Sequence, residues 1–116
     1  MSYDCTIVDK DGEALLIQNV PKGGTYCASE GFQEAWFNIT FNYSKFIYGV
    51  LEGGIPGLHG KKVRDTIPQL LEAEGRLSGE PDPDYWAATE GNAKKALKGL
   101  LIIAVQAPDG YWQIDY

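Results

Sequence analysis

This sequence predicts an α+β fold: a small antiparallel sheet from the N-terminal half packed against two or three C-terminal helices. Three observations lead there. Strand-like segments fill the chain up to Tyr43, and residues 36–43 (WFNITFNY) alternate bulky apolar with small polar side chains, the period of a half-buried strand. Helix-like segments follow Ser44, and in the last of them Ala93, Ala96, Leu97, Leu100, Ala104 and Ala107 keep the i, i+3, i+4 spacing of a packing stripe. A length of 116 residues suits one domain, 1–116, able to bury roughly two-thirds of its unfolded surface in a single core.

The elements follow in order. Residues 3–9 (YDCTIVD) and 14–20 (ALLIQNV) read as two strands around Lys10-Asp11-Gly12-Glu13, where Asp-Gly supplies the positive φ of a tight hairpin. Pro21-Lys22-Gly23-Gly24 breaks the chain, and residues 25–28 (TYCA) form a short third strand. WFNITFNY is the fourth and strongest. One of its faces carries Phe37, Ile39, Phe41 and Tyr43; the other carries Trp36, Asn38, Thr40 and Asn42, although Asn is a poor strand former. Ser44 caps a short helix that runs to about Leu51 and ends at Gly53-Gly54. Residues 54–64 (GIPGLHGKKVR) form a Gly-rich basic loop. Thr66-Ile67-Pro68-Gln69 opens a second helix with a capping-box pattern and runs to about Leu77. After a polar link, residues 78–83, Thr89 or Glu90 opens the last helix, which continues to about Ala107. Pro108-Asp109-Gly110 ends it, and residues 111–116 (YWQIDY) are an aromatic tail with the character of an edge strand. Phe37, Ile39, Phe41, Leu97, Leu100 and Leu101 are expected in one core.

Composition narrows the function. The net charge of −6 and pI near 4.6 make duplex nucleic acid an unsuitable partner. The longest apolar run, residues 100–105, falls far short of the ~18 residues of a membrane span. The first residues lack the basic-then-apolar pattern of a signal peptide, so the expected location is the cytoplasm. Cys5 and Cys27 then read as reduced core thiols rather than a disulfide, and the sequons at Asn38 and Asn42 never meet the glycosylation machinery. The same apolar run goes all round the last helix, which suits a core helix or a contact between copies; a homo-oligomer is expected.

Assembled chemistry is missing. The one histidine, His59, has no partners at zinc spacing, and no G-x-S-x-G or H-E-x-x-H pattern occurs. GIPGLHGKK resembles a phosphate-binding loop but fails it, because the glycine spacing is one residue too long and Lys62 stands where Ser or Thr must hold magnesium. Asp82-Pro83-Asp84 reads as turn and cap residues. The chain is therefore expected to be non-enzymatic, with neither cofactor nor metal.

Charge and aromatics remain. His59, Lys61, Lys62 and Arg64 cluster ahead of one helix, and Lys94, Lys95 and Lys98 sit in the first turns of another. Lys is unfavourable at a helix start unless something negative lies nearby. Gly60 and Gly91-Asn92 leave room for close approach to backbone. Trp36, Asn38, Thr40 and Asn42 would offer a stacking plane, donors and acceptors at about 7 Å intervals along one sheet face. Those groups suit a nucleobase or ribose, with the basic loops taking phosphate.

Several stretches carry a resemblance. The elements GGTY (23–26), EAWFNITFNY (34–43), HGK (59–61), TIPQLLE (66–72), PDYWxxTEGNAK (83–94) and APDGYW (107–112), in this order, resemble a group of short proteins encoded by tailed phages and prophages. The likeness covers nearly the whole chain, and PDYWxxTEGNAK is specific. Lys62 departs from the pattern, in which the first lysine alone is typical. The resemblance implies a viral accessory protein in the cytoplasm of an infected bacterial host, and attaches no activity to it. Small phage accessory proteins of this sort often antagonise host defence, an association at the level of class. Two expectations follow. One is a counter-defence factor that sequesters a small anionic ligand of nucleotide type, through Trp36, Asn38, Thr40, Asn42, His59, Lys61, Lys62, Arg64, Trp86, Thr89, Asn92, Lys94 and Lys95. The other is a protein–protein inhibitor, anti-CRISPR-like, that blocks a host defence enzyme or complex through its acidic residues 72–84 or its aromatic tail.

Overall fold

A computed structural model of the chain describes residues 1–18 and 33–116. The expected third strand, the GGTY element and Cys27 lie outside the described residues. The elements are β1 (Ser2–Val8), β2 (Leu16–Ile17), β3 (Gln33–Glu34), β4 (Trp36–Thr40), α1 (Ser44–Val50), α2 (Val63–Arg76), α3 (Glu90–Gln106) and β5 (Tyr111–Asp115), with 3-10 turns at Phe41–Tyr43 and Pro56–Leu58. The architecture is α+β, an antiparallel sheet packed against C-terminal helices.

β1 is the middle strand, in the order β4-β1-β5. It pairs antiparallel with both neighbours, Cys5 opposite Phe37 on one side and Ile114 on the other. Alternation then sorts the faces. Tyr3, Cys5, Ile7, Phe37, Ile39, Trp112 and Ile114 are buried toward the helices, whereas Ser2, Asp4, Thr6, Trp36, Asn38 and Gln113 are half-buried on the outer face. The aromatic tail therefore completes the sheet.

The N-terminal hairpin is shorter than its sequence suggests. Asp9 organises the turn: its backbone N–H donates to the Glu13 carbonyl at 2.8 Å, and its Oδ1 accepts from the N–H groups of Asp11 and Glu13. Gly12 takes a φ of +84° there, as the Asp-Gly pattern requires. Val8 meets Ala14 in a single bridge, after which the chain leaves β1 and β2 pairs instead with β3. Ala35 locks this divergence, since Ile7 N–H donates to its carbonyl and its own N–H donates to Leu15. Within the described residues the expected strand 14–20 is thus reduced to two residues.

WFNITFNY is a strand only as far as Thr40. The Thr40 side chain accepts from the Asn42 N–H at 3.3 Å and caps the 3-10 turn, which takes Asn42 off the sheet. Ser44 does not cap α1; its hydroxyl meets the Tyr3 hydroxyl at 2.8 Å. α2 begins at Val63, three residues before the expected Thr66, because residues 60–62 run along the free edge of β5 and turn straight into the helix. There Gly60 N–H donates to Trp112, Trp112 N–H to Lys61, and Lys62 bridges Tyr111. Thr66 consequently lies inside the helix, buried, its hydroxyl donating to the Val63 carbonyl and accepting from Trp112 Nε1 at 2.8 Å. Thr89 caps α3 as expected, accepting from the Asn92 N–H.

Sheet and helices share one core that includes Phe37, Ile39, Leu97 and Leu100; Phe41 and Leu101 are half-buried against it. α3 lies close to the sheet because of Gly99, where a Cβ would come within 2.4 Å of the Phe37 ring. Among the described residues, no helix is long and apolar enough to cross a membrane.

A paired substitution tests this packing. Gly99→Ala should lower stability by about 1–3 kcal/mol, despite the better helix propensity of Ala, because its Cβ would overlap the Phe37 ring and force ring and helix apart. Gly75→Ala, with nothing within 4 Å of its new Cβ, should raise stability by about 0.5–1 kcal/mol. Equal melting temperatures for the two variants would mean that α3 does not rest on Phe37.

Candidate functional site

Residues 77–89 connect α2 to α3, and the PDYWxxTEGNAK element (83–94) runs from this connection into the first turns of α3, its side chains largely engaged within the protein. Asn92 is buried and saturated. Its Oδ1 accepts from the Asp82 N–H at 2.8 Å, and its Nδ2 donates to the carbonyls of Asp84 and Ala87 at 3.0 Å each. Asp82 and Asp84 form successive Asx turns, accepting from the N–H groups of Asp84 and Trp86. Glu90 accepts from both the N–H and the hydroxyl of Ser78. Tyr85 carries the loop to the sheet: its hydroxyl accepts from the Thr40 N–H, and its carbonyl accepts from the Tyr43 hydroxyl. Burial, with Tyr85 and Asp84 nearby, pushes the Tyr43 phenol above its ordinary value, so it stays a proton donor.

The sequence pointed to close backbone approach at Gly91, and the approach is real but internal. A Cβ on Gly91 would lie 2.0 Å from the Glu80 carbonyl oxygen. The unfavourable lysine at the start of α3 also finds its negative partner inside the chain. Lys94 Nζ donates to the carbonyls of Glu74 and Leu77 at 2.8 and 3.0 Å and pairs with the Glu74 carboxylate at 3.0 Å. A cation badly placed for the N-terminus of α3 is thereby well placed for the C-terminus of α2.

The polar row of WFNITFNY divides in the same way. Trp36 and Asn38 share the outer face of the sheet, Thr40 is buried as a cap, and Asn42 donates to the Trp86 carbonyl at 2.8 Å. Asn38 sits opposite Asp4, and its amide donates to Asp4 Oδ1 at 3.0 Å and Ser2 Oγ at 2.7 Å. An amide is therefore suited to this strand position: it satisfies a carboxylate on the neighbouring strand.

The two basic groups are far apart. Residues 60–62 flank β5, so three strand spacings of about 4.8 Å separate them from β4. Asp4 and Asp115 stand opposite each other on the outer face between them. Arg64 pairs with Asp109, and His59 Nδ1 accepts from the Ile114 N–H at 3.0 Å. Lys61 is exposed and Lys62 half-buried. His59, Lys61, Lys62 and Arg64 therefore do not join Trp36, Asn38, Asn92, Lys94 and Lys95.

Two clefts flank the first turns of α3 instead. The smaller, about 90 Å³, lies between the edge of β4 and residues 82–85, and Asn38, Tyr43, Asp82, Tyr85, Asn92 and Lys95 all line it. The larger, about 240 Å³, is lined by Gly79, Glu80, Pro81, Gly91, Lys94, Lys95 and Lys98. Lys95 lines both. It is exposed and, among the described residues, makes no ion pair. Trp86 is half-exposed beside Tyr85, edge to face at 4.9 Å. The sequence reading missed Tyr43, Tyr85 and Gly79 as lining residues. Gly79, with φ +96°, was findable as a turn glycine, whereas the two tyrosines carry no local signal.

Among the described residues, no group of three or more His, Cys, Asp or Glu is placed to hold a metal. Cys5 is fully buried, and desolvation reinforced by Asp4 pushes its thiol well above the ordinary range, which leaves it inert. Compared with protein-family models, curated proteins and solved structures, the chain matches none.

Asn92 should prove structural. Asn92→Ala strands one N–H and two carbonyls, and is expected to cost about 2–4 kcal/mol in chemical denaturation. Lys95→Ala, on the exposed side of the same turn, should stay within about 0.5 kcal/mol of the parent. If Asn92→Ala proved as mild as Lys95→Ala, the loop would not be organised by this amide.

Proposed function

We propose that this protein is a non-enzymatic binding protein that holds a small anionic ligand of nucleotide type beside the first turns of α3. One observation carries the reading: a cleft of about 240 Å³ lined by Lys94, Lys95 and Lys98, with Lys95 not spent on an ion pair among the described residues. The N-terminal end of α3 adds a favourable dipole for an anion. Small-molecule sites typically run from about 300 Å³ upward, so the cleft suits a phosphate with part of its ribose, and the base extends beyond it. The adjoining cleft, walled by Tyr43 and Tyr85, supplies aromatic surface on the other side of Lys95. Together with the phage resemblance, this supports a counter-defence role in an infected bacterial cell: sequestration of a nucleotide signal.

A second reading, inhibition of a host defence protein, is favoured by a different surface. Tyr116 is exposed at the end of the sheet, resting on the half-buried Phe41 and the buried Tyr3 with ring centroids 4.4 to 6.5 Å apart, and Tyr48 is exposed. Aromatic groups of this kind are favoured as contact residues in protein interfaces.

Titration against linear and cyclic nucleotides separates the two. A lysine–phosphate contact is worth about 1.5–3 kcal/mol, so Lys95→Ala should weaken binding by roughly one to two powers of ten. Lys61→Ala, at the opposite edge of the sheet, should leave it within about threefold. If the parent protein binds no nucleotide at about 100 µM yet still suppresses a defence system, sequestration fails and the aromatic surface becomes the site to test.

A further inference from the structure

The outer edge of β4 leaves one residue's backbone unpaired. In an antiparallel ladder, residue pairs that exchange both backbone hydrogen bonds alternate with pairs that exchange none. Phe41 N–H donates to the Met1 carbonyl at 3.1 Å, and Ile7 N–H donates to the Ala35 carbonyl at 2.9 Å. With the register between them, Tyr3–Ile39 and Cys5–Phe37 are bonded pairs, and Asp4–Asn38 is an unbonded one. The Asn38 N–H and C=O therefore point away from β1. The Thr40 N–H, two residues on, points the same way and finds the Tyr85 hydroxyl at 3.3 Å. Among the described residues, the Asn38 N–H and C=O have no protein partner. The side chain is turned elsewhere, since Nδ2 reaches toward β1 and donates to Ser2 and Asp4. What Asn38 presents to the cleft of about 90 Å³ at this edge is backbone.

That edge is too short for a strand. Tyr85 already occupies the position at Thr40, so an incoming peptide would find one residue to pair with instead of a ladder. A planar group with a donor beside an acceptor needs no more than one. Each nucleobase carries such a pair on its Watson–Crick edge, the edge by which proteins read unstacked bases. The rest of the cleft suits a ring: Phe37, Tyr43, Pro83, Tyr85 and Ala96 line it, and the Tyr43 hydroxyl is committed to the Tyr85 carbonyl. Lys95 lines this cleft and the lysine cleft, so base and phosphate would lie on two sides of one side chain. Resting on the nucleotide reading, we propose that the open edge of β4 reads the base: Asn38 N–H donates to the acceptor of the Watson–Crick edge, and Asn38 C=O accepts from the neighbouring donor. A base already paired in a duplex has that edge occupied, so the site takes free or unpaired nucleotides.

Calorimetric titration with AMP, GMP, CMP and UMP, each beside its analogue methylated on the Watson–Crick edge, tests the inference. Methylation should weaken binding by about tenfold or more, the loss of one or two hydrogen bonds. On the protein side, Asn38→Pro removes the N–H while suiting an edge position whose N–H faces off the sheet. It should weaken binding of the unmodified nucleotides by about tenfold, whereas Asn38→Ala, which keeps the N–H, should stay within about threefold. Circular dichroism checks that the Pro variant folds, and if it does not, the methylated nucleotides decide the matter on the parent protein. A parent that binds the nucleotides through Lys95 but ignores methylation would overturn base reading by β4 and leave the ligand reading standing. Equal affinities for the folded Pro and Ala variants would do the same. A parent that binds none of the four at about 100 µM would overturn both.

Discussion

One carboxamide holds together parts of the chain that share no regular hydrogen bonds. Asn92 sits in the first turn of α3 and satisfies the backbone of Asp82, Asp84 and Ala87 at once. The connection between α2 and α3 is thereby folded back on itself, and Tyr85 is delivered to the end of β4, where it receives the Thr40 N–H and the Tyr43 hydroxyl. Helix, loop and sheet are joined through a single side chain whose every donor and acceptor is used. Leaving any one of those groups without a partner costs more than the bond itself contributes, which makes such a node rigid. Both clefts beside Lys95 are by-products of that rigidity, since residues 79–85 form one wall of each.

Periodicity made part of this legible. The alternation of β1, the start of β4, the Asp-Gly turn and the capped, striped α3 are local patterns, and local patterns determined them. What local patterns do not carry is partnership. ALLIQNV looks like the natural hairpin mate of β1, yet Ala35 and β4 take most of that edge. Thr66-x-x-Gln69 looks like a helix start, but pairing with β5 moves the start to Val63. The site shows the same difficulty in chemical form. A lysine at a helix start, or an asparagine in a strand, reads identically whether its partner is a ligand or the same chain. For Lys94 the partner is the end of α2, and for Asn38 it is Asp4.

The most specific stretch of the sequence is thus largely architectural. In PDYWxxTEGNAK, Asp84, Tyr85, Thr89, Glu90, Gly91, Asn92 and Lys94 each make a contact that shapes the loop or the helix ends. Another chain with this pattern would share the loop before it shared a ligand. Lys95 and Lys98, beside the pattern, and the exposed ring of Trp86 within it are where a binding preference can change without disturbing the scaffold.

The order of strands also has a consequence for how the molecule comes into being. β1 is made first, yet both of its partners arrive later, and one of them, β5, spans Tyr111–Asp115. Asp4 cannot find Asp115 until almost every intervening residue has been synthesised. Contacts so distant along the chain are slow to form, because closing a long loop costs entropy before any strand contact offsets it. On the ribosome, β1 must therefore wait with its apolar face exposed and one edge open while the helices emerge. Apolar surface and an open strand edge held in that condition favour aggregation over folding, so the interval before β5 pairs is the vulnerable one.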